Sequence, residues 1–556
     1  MPRTPATPAV STSTPSTPTI PAEVIDVLTA QFAKAVTDNR TAGITWAVVG
    51  GHGTGQTVLA AGAAGAHELA DGEPAAGSSP MGTDSISRIA SMTKSFTAAS
   101  ILRLRDEGRL RLDDPIADHL PEAAGIAPAT PDSPVITIRL LLTMSAGLIT
   151  DNPWGDRQEA MTREEFARVL RDGLGHVHAP GTGFEYSNTG YALLGRIVDE
   201  VSGTPYTDYI SETFLRPLGM VDTVWSAEDT DRTRLAIGHR TADRDDRTRF
   251  EPVPFDTPGV YGAMAGLYST TVDVARWVRF LAAADAPDAA SREQSPLSTA
   301  SRREMQQLYR LQLTKPLPAG TDGVSPGFDR QRGYGFGLVV ERFPDLGEII
   351  SHSGGYPGYG SFMAWHRPSG VGVVAFANAK YGPAVPLSME ALRILAARTD
   401  LLTASAEAAA APRALEAAPA ALDWVRSGDD ALADAWFADN MDLDTPRAER
   451  LRRRDSALAA TGLSVDDLAS LTAADARVVS RAHLQWTVPG RTAATGTADG
   501  AQGATGANRG GADGASGSGA DADAATLRID MLMDPRQAGL IQALDVTSAS
   551  PEARNY

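Results

Sequence analysis

Two strand-like segments near the start of the chain, ITWAVVG (44–50) and TVLAAGAAG (57–65), find no strand-like company until RGYGFGLVVERF (332–343), GEIISHSG (347–354), SFMAWHR (361–367) and GVGVVAFAN (370–378). Helices and loops occupy the stretch between, about 112–330. Early strands completed by late ones imply an α+β fold: an antiparallel sheet flanked by helices, with a helical subdomain inserted between its two parts. An amphipathic helix over 22–39 and a helix near 384–398 bracket the unit.

Within that frame, Ser91-Met92-Thr93-Lys94 places a primary alcohol three residues before one of only four lysines (Lys34, Lys94, Lys315 and Lys380) among 50 basic residues. Where a surface cation suffices, this chain uses arginine. A guanidinium stays protonated, whereas a desolvated ammonium can lose its proton and act as a base. The apolar spacing of SMTKSFTAASILRLRDEG predicts a buried helix opening at Ser91 and stopping at Gly108. Residues three apart share a helix face, so Ser91 Oγ and Lys94 Nζ can meet. A helix start also favours developing negative charge, a suitable seat for an activated nucleophile. Alone, Ser-x-x-Lys is more often an N-cap followed by a surface lysine.

Two further constellations follow in order. Tyr186-Ser187-Asn188 sits between the turn-rich loop HAPGTGFE and the helical stretch TGYALLGRIVDEVSG. A tyrosine there can turn its phenol into a cleft, and Asn188 can orient a neighbour with both a donor and an acceptor. Singly, the pair reads as a core tyrosine and an asparagine cap. His352-Ser353-Gly354-Gly355 ends a strand-like segment, and its glycines let a substrate backbone approach closely while N–H groups aim at an oxyanion. By itself it reads as a glycine-rich hairpin turn.

Taken together, Ser91-x-x-Lys94, Tyr186-Ser187-Asn188 and His352-Ser353-Gly354 resemble the three motifs of the serine penicillin-recognising family, which includes class C β-lactamases, D-alanyl-D-alanine carboxypeptidases, D-aminopeptidases and β-lactamase-like esterases. The resemblance runs from about residue 23 to residue 400 and takes in TIRLLLTMSAGL (137–148), LRPLGMVDT (215–223) and AGLYSTTVDVARW (265–277). It implies the β-lactamase/transpeptidase-like architecture and an acyl-enzyme. Ser91 is then the nucleophile, Lys94 and Tyr186 move its proton, and Asn188 orients Lys94. His352, Ser353 and Gly354 border the substrate, and the backbone N–H groups of Ser91 and Gly355 form the oxyanion hole. Which of Lys94 and Tyr186 takes the proton from Ser91 stays open. A tyrosine with an ordinary pKa of about 10 needs cationic neighbours to do so.

At position 352 the family's usual lysine is a histidine, which recruits a substrate carboxylate less strongly than a permanent cation. This ranks an esterase or peptidase acting on a small ester, amide or D-amino-acid peptide above a β-lactamase. A non-turning-over sensor acylated at Ser91 is the rival from another class. Gly323-Val324-Ser325-Pro326-Gly327 matches the nucleophile elbow of α/β-hydrolases but lacks the flanking strand and helix that elbow needs. The histidines outside the third motif are scattered, with only His176 and His178 close together, and no metal or cofactor is expected.

At 556 residues, two or three domains are expected. A formal charge of −18 disfavours nucleic acid and anionic membranes as partners, leaving a small-molecule substrate. The chain has no cysteine and no apolar run of membrane-spanning length. Its N-terminal tract, 1–21, is Ser/Thr/Pro-rich and reads as a disordered tail, not a secretory signal, which points to the cytoplasm. Residues 22–400 form the hydrolase-like domain, 401–420 an alanine-rich linker or helix, and 421–556 a small α+β module. That module has two expected strands, HLQWTVPG and ATLRIDMLMDP, around a disordered Gly/Ala-rich insert at 491–525. It distantly resembles the nuclear-transport-factor-2-like cone, a kind often used for binding or self-association.

Overall fold

The computed structural model describes residues 19–241, 249–286, 295–312, 331–380, 382–403, 410–491, 525–536 and 539–549. The tail at 1–18, the Gly323–Gly327 motif and most of the 491–525 insert lie outside the described residues. The chain divides into two units, Met1–Ser405 and Ala406–Tyr556.

In the first unit the strands β1 (Gly43–Val49), β2 (Val58–Gly65), β3 (Arg310–Leu311), β4 (Gln331–Tyr334), β5 (Val339–Phe343), β6 (Gly347–Tyr356), β7 (Tyr359–His366) and β8 (Gly372–Ala377) form one sheet. Its order is β2-β1-β8-β7-β6-β5-β4-β3, and every pairing is antiparallel. The opening hairpin is thus completed by the final strand, Trp46 standing opposite Ala375. This is the antiparallel sheet expected from strand order, and it agrees with the β-lactamase/transpeptidase-like architecture implied by the resemblance.

Both faces of the sheet are covered, and side-chain alternation sorts residues between two cores. Ile44, Trp46, Val48, Val373, Ala375 and Ala377 join one core with α1 (Ala22–Thr37) and α5 (Ala384–Arg398). In α1, the i, i+4 spacing of Val24, Leu28 and Phe32 makes the buried stripe, and Phe32 stacks on Trp46 at 5.1 Å. Val374, Phe376, Met363 and Trp365 point the other way, into the larger core holding α2 (Thr93–Asp106), α3 (Asn188–Ser202) and α4 (Thr271–Ala282). Burying one such large apolar side chain fully contributes roughly 1.5–3 kcal/mol.

Two local expectations change in the first unit. The segment 332–343 is two strands, not one, because Gly337 turns the chain at φ +70° where it passes α2; a Cβ there would stand 2.8 Å from Lys94 O. α2 begins at Thr93, two residues after Ser91, which lies in a 3₁₀ turn, Ala90–Met92. Gly108 follows its end at φ +73°, as a helix stop requires. In the second unit the alanine-rich stretch, expected as a linker or helix, is helical from Pro412. In α6 (Pro412–Ser427), Ala414, Ala417, Ala418 and Ala421 are buried beside Leu422 and Trp424. Alanine is both the best helix former and small enough for close packing.

The second unit also contains α7 (Asp430–Trp436), α8 (Arg447–Thr461) and four strands where two were expected: β9 (Arg477–Ser480), β10 (His483–Pro489), β11 (Thr526–Met533) and β12 (Ile541–Ala549). They form an antiparallel meander in chain order, with its own core around Trp424, Trp486, Ile529 and Leu544. Among the described residues no helix is long and apolar enough to cross a membrane, and no cluster of three or more His, Asp or Glu is arranged to hold a metal.

Candidate active site

Ser91 is presented by a strained turn. The short strand Ser87–Arg88 leads through Ile89 to Ala90, a buried non-glycine residue at φ +48°. Left-handed backbone costs an L-residue roughly 1–2 kcal/mol. Three contacts hold it: Ile89 N–H donates to Leu267 O at 2.9 Å, Ser361 Oγ donates to Ile89 O at 2.8 Å, and β6 packs so closely that a Cβ on Gly354 would overlap Ile89 O. Behind the turn, Arg88 is fully buried in an ion pair with Glu159 and lies 3.8 Å over the Tyr356 ring.

Lys94 has no solvent exposure. Its Nζ lies 3.0 Å from Ser91 Oγ, 2.7 Å from Asn188 Oδ1 and 3.0 Å from Met264 O. Burial lowers its pKa to about 7, against the opposing pull of the Asp156 and Asp151 carboxylates. As a neutral amine it has two N–H donors, which match the two carbonyl-type oxygens, and one lone pair left facing the Ser91 hydroxyl.

Asn188 is fixed from three sides. Its N–H donates to Asp151 at 2.7 Å, its Nδ2 donates to Asn152 Oδ1 at 2.9 Å, and its Oδ1 is thereby turned to Lys94. It does not cap α3. Ser187 does, accepting from Gly190 N–H at 3.1 Å, while Asp151 also accepts from Thr189 N–H at 2.8 Å.

Tyr186 faces the cavity beside Ser91, and Lys94 Nζ lies 5.0 Å from its ring centroid. Burial pushes its phenol well above the ordinary value, and the Asp156 and Asp151 charges push the same way. Tyr186 therefore holds its proton at neutral pH. No cation offsets this, and Lys94, with its pKa lowered to about 7, is only partly charged near neutral pH.

His352, on β6, is buried, and its pKa falls to about 3 because of burial and, secondly, the nearby Lys94 charge. A carbonyl can only accept, so Nδ1–H donates to Ser353 O at 2.7 Å and Nε2 accepts from Tyr334 Oη–H at 2.9 Å. Both ring nitrogens are spent on protein partners. Ser353 is exposed beside them, and Gly355 stands in register with Gly360 across the β6–β7 pair.

These groups share one cavity of about 600 Å³, whose walls include Ser91, Tyr186, His352, Ser353, Gly354 and Gly355. Lys94 and Asn188 stand behind Ser91 and Tyr186, not on the wall. The structure thus assembles every candidate residue from three distant segments. It adds residues that local spacing did not announce: Asp151, Asn152, Asp156, Tyr334 and the Met264 carbonyl. Asp151 lies 37 residues before the Asn188 amide it accepts from. The only local cue was a turn signal, Asp-Asn-Pro at 151–153.

Fold and site define the class of serine-motif proteins built on the β-lactamase/transpeptidase sheet. The beta-lactamase family model matches residues 28–398, and the chain belongs to that family. It is 28% identical over 298 residues to penicillin-binding protein 4* of Bacillus subtilis (strain 168), covering 51% of this chain and 58% of that protein. It is 29% identical over 293 residues to the D-alanyl-D-alanine-carboxypeptidase/endopeptidase AmpH of Escherichia coli (strain K12), covering 52% and 70%. Among solved structures, the octameric penicillin-binding protein homologue from Pyrococcus abyssi matches at 27% identity and TM-score 0.54, covering 67% of this chain and 78% of that one. A class C beta-lactamase shares the fold at TM-score 0.52 and 17% identity, covering 68% and 96%.

Proposed function

We propose that the chain is a serine hydrolase that cleaves a small ester, amide or D-amino-acid peptide through an acyl-enzyme on Ser91. The observation that carries this reading is the valence count at Lys94: a buried amine with two acceptors for two N–H groups and a lone pair for the serine proton. Ser91 Oγ attacks the substrate carbonyl carbon as its proton passes to Lys94 Nζ. The carbonyl oxygen becomes an oxyanion held by the N–H groups of Ser91 and Gly355, donors worth roughly 3–4 kcal/mol each. When the tetrahedral species collapses, the Tyr186 hydroxyl protonates the leaving group and is reprotonated by the Lys94 ammonium. Water repeats the sequence in reverse to free the acid. Lys94 is thus the base, and Tyr186, holding its proton, is the relay. His352, neutral and doubly bonded to protein, positions β6 and Tyr334 instead of carrying protons.

The test is steady-state release from p-nitrophenyl acetate beside a chromogenic cephalosporin, with mass spectrometry of the trapped protein. Continued release from the ester, faster than from the cephalosporin, with the acyl group on the Ser91 peptide and none on Ser91→Ala, is the expected result. A single burst without further release assigns the chain to the sensor alternative, and acylation elsewhere removes Ser91 from the mechanism.

The pH profile follows from Lys94. Only the neutral amine accepts a proton, so kcat/KM for p-nitrophenyl acetate is expected to rise with pH and level off above an apparent pKa near 7. Below that point it falls about tenfold per pH unit. A profile flat from pH 5 to 8 contradicts the assignment.

A further inference from the structure

Asp156 lies on the wall of the catalytic cavity and is not used by the mechanism above. It follows the helical turn Asn152–Gly155, its N–H donates to Asn152 O at 3.2 Å, and Gly155 packs against Asn188 so tightly that an added Cβ would stand 3.1 Å from Asn188 Cβ. The backbone that carries Asp156 is therefore held against Asn188, and its side chain shares the cavity wall with Ser91. The residue is only 9% exposed, and among the described residues its carboxylate has neither a hydrogen bond nor an ion pair within 4 Å.

Such a placement is unfavourable for an acid. Burial raises its pKa to about 6, against the opposing pull of Lys94 and then Lys380, with Asp151 adding to the rise; none of these cations lies within ion-pair distance of its carboxylate among the described residues. Lys94, moreover, is neutral when it serves as a base. Buried carboxylates are ordinarily paired, and an unpaired one facing a cavity is completed by what enters that cavity. Of the two arginines on the same wall, Arg332 is bound to Glu341 at 3.2 Å and Gln312 at 2.8 Å, and Arg40 is exposed.

We infer that Asp156 anchors a cationic amine, so the carbonyl substrate taken at Ser91 carries a primary ammonium group, as a free amino-acid amide, ester or peptide N-terminus does. This inference rests on the serine-hydrolase reading and narrows its substrate class. Lipophilic esters without an amine leave Asp156 unpaired and are poorer substrates.

The test compares D- and L-alanine p-nitroanilide with their N-acetyl counterparts in wild type and Asp156→Asn. The wild type is expected to prefer the free amine of at least one enantiomer, and the variant is expected to lower that preference about 10- to 100-fold, the range for a charge-assisted hydrogen bond. Taking the ratio cancels any effect of the substitution on Lys94. An equal loss on both substrates means that Asp156 acts only on Lys94 and overturns the inference, as does a wild type that favours the acetylated compound. A second measurement requires neither turnover nor a variant: calorimetric binding of alaninol and N-acetylalaninol to the wild type. Binding of alaninol alone supports the amine site even if no ester is cleaved, whereas equal or absent binding of the two overturns it.

Discussion

Lys94→Arg is expected to lower the rate of Ser91 acylation about a thousandfold, within the range attributed to a positioned general base. Charge is preserved, but a guanidinium keeps its proton under all ordinary conditions, so the proton of Ser91 loses its acceptor. The larger head group must also fit among Ser91 Oγ, Asn188 Oδ1 and Met264 O, all now within 3.0 Å of one nitrogen. Lys94→Met separates the two effects, since it removes basicity without adding a fork of donors. Both variants should retain a cooperative thermal transition while failing to form the acyl-enzyme in a stopped-flow burst. Wild-type-like burst rates in either would remove Lys94 from proton transfer and return that task to Tyr186.

Gly354→Ala is the second large effect, and it acts through backbone. The added methyl would overlap both Ile89 O and Ser361 Oγ, the two partners whose hydrogen bond holds the turn before Ser91. A backbone oxygen cannot rotate away, so β6 and the Ser91 turn must part. Overpacking of this kind costs typically about 1–3 kcal/mol. Displacement of the nucleophile by about an ångström costs roughly a hundredfold in rate. The expected outcome is a lowered Tm and a fall in kcat/KM of roughly that size. Unchanged activity with an unchanged Tm would mean that β6 does not brace the nucleophile.

The site and the fold differ in how far they were legible from residue order. Ser91 and Lys94 were legible because helix geometry puts residues three apart on one face, and that geometry survives even though the helix starts two residues later than expected. The strand order was legible because the short apolar runs at 44–50 and 57–65 find no strand-like company until 332–378, so the early strands need the late ones as partners. The four-stranded meander of the second unit was half legible. Ile541, Leu544 and Val546 do mark a buried face, but Gln542 and Asp545 interrupt a run that reads as loop until β11 is beside it.

What no spacing rule could supply is the electrical state of the site. Tyr186 looked like a potential base beside a lysine cation, yet enclosure shifts the two groups in opposite directions: it lowers the ammonium's pKa and raises the phenol's, because burial penalises whichever form carries charge. His352 looked available to substrate until Tyr334 and Ser353 O took both its nitrogens. Asp156 carried no motif at all.

Residue order by itself carried the three motifs that resemble the family, the sheet's interrupted plan and the pairing of Ser91 with Lys94, since these depend on local spacing and on side-chain chemistry carried wherever the chain goes. Tertiary structure alone decided that burial lowers the pKa of Lys94 and raises that of Tyr186, which residue caps α3, and which carboxylate stands in the cavity. Those outcomes depend on desolvation and on distances between segments far apart in the chain, quantities that exist only once the two cores close around the sheet.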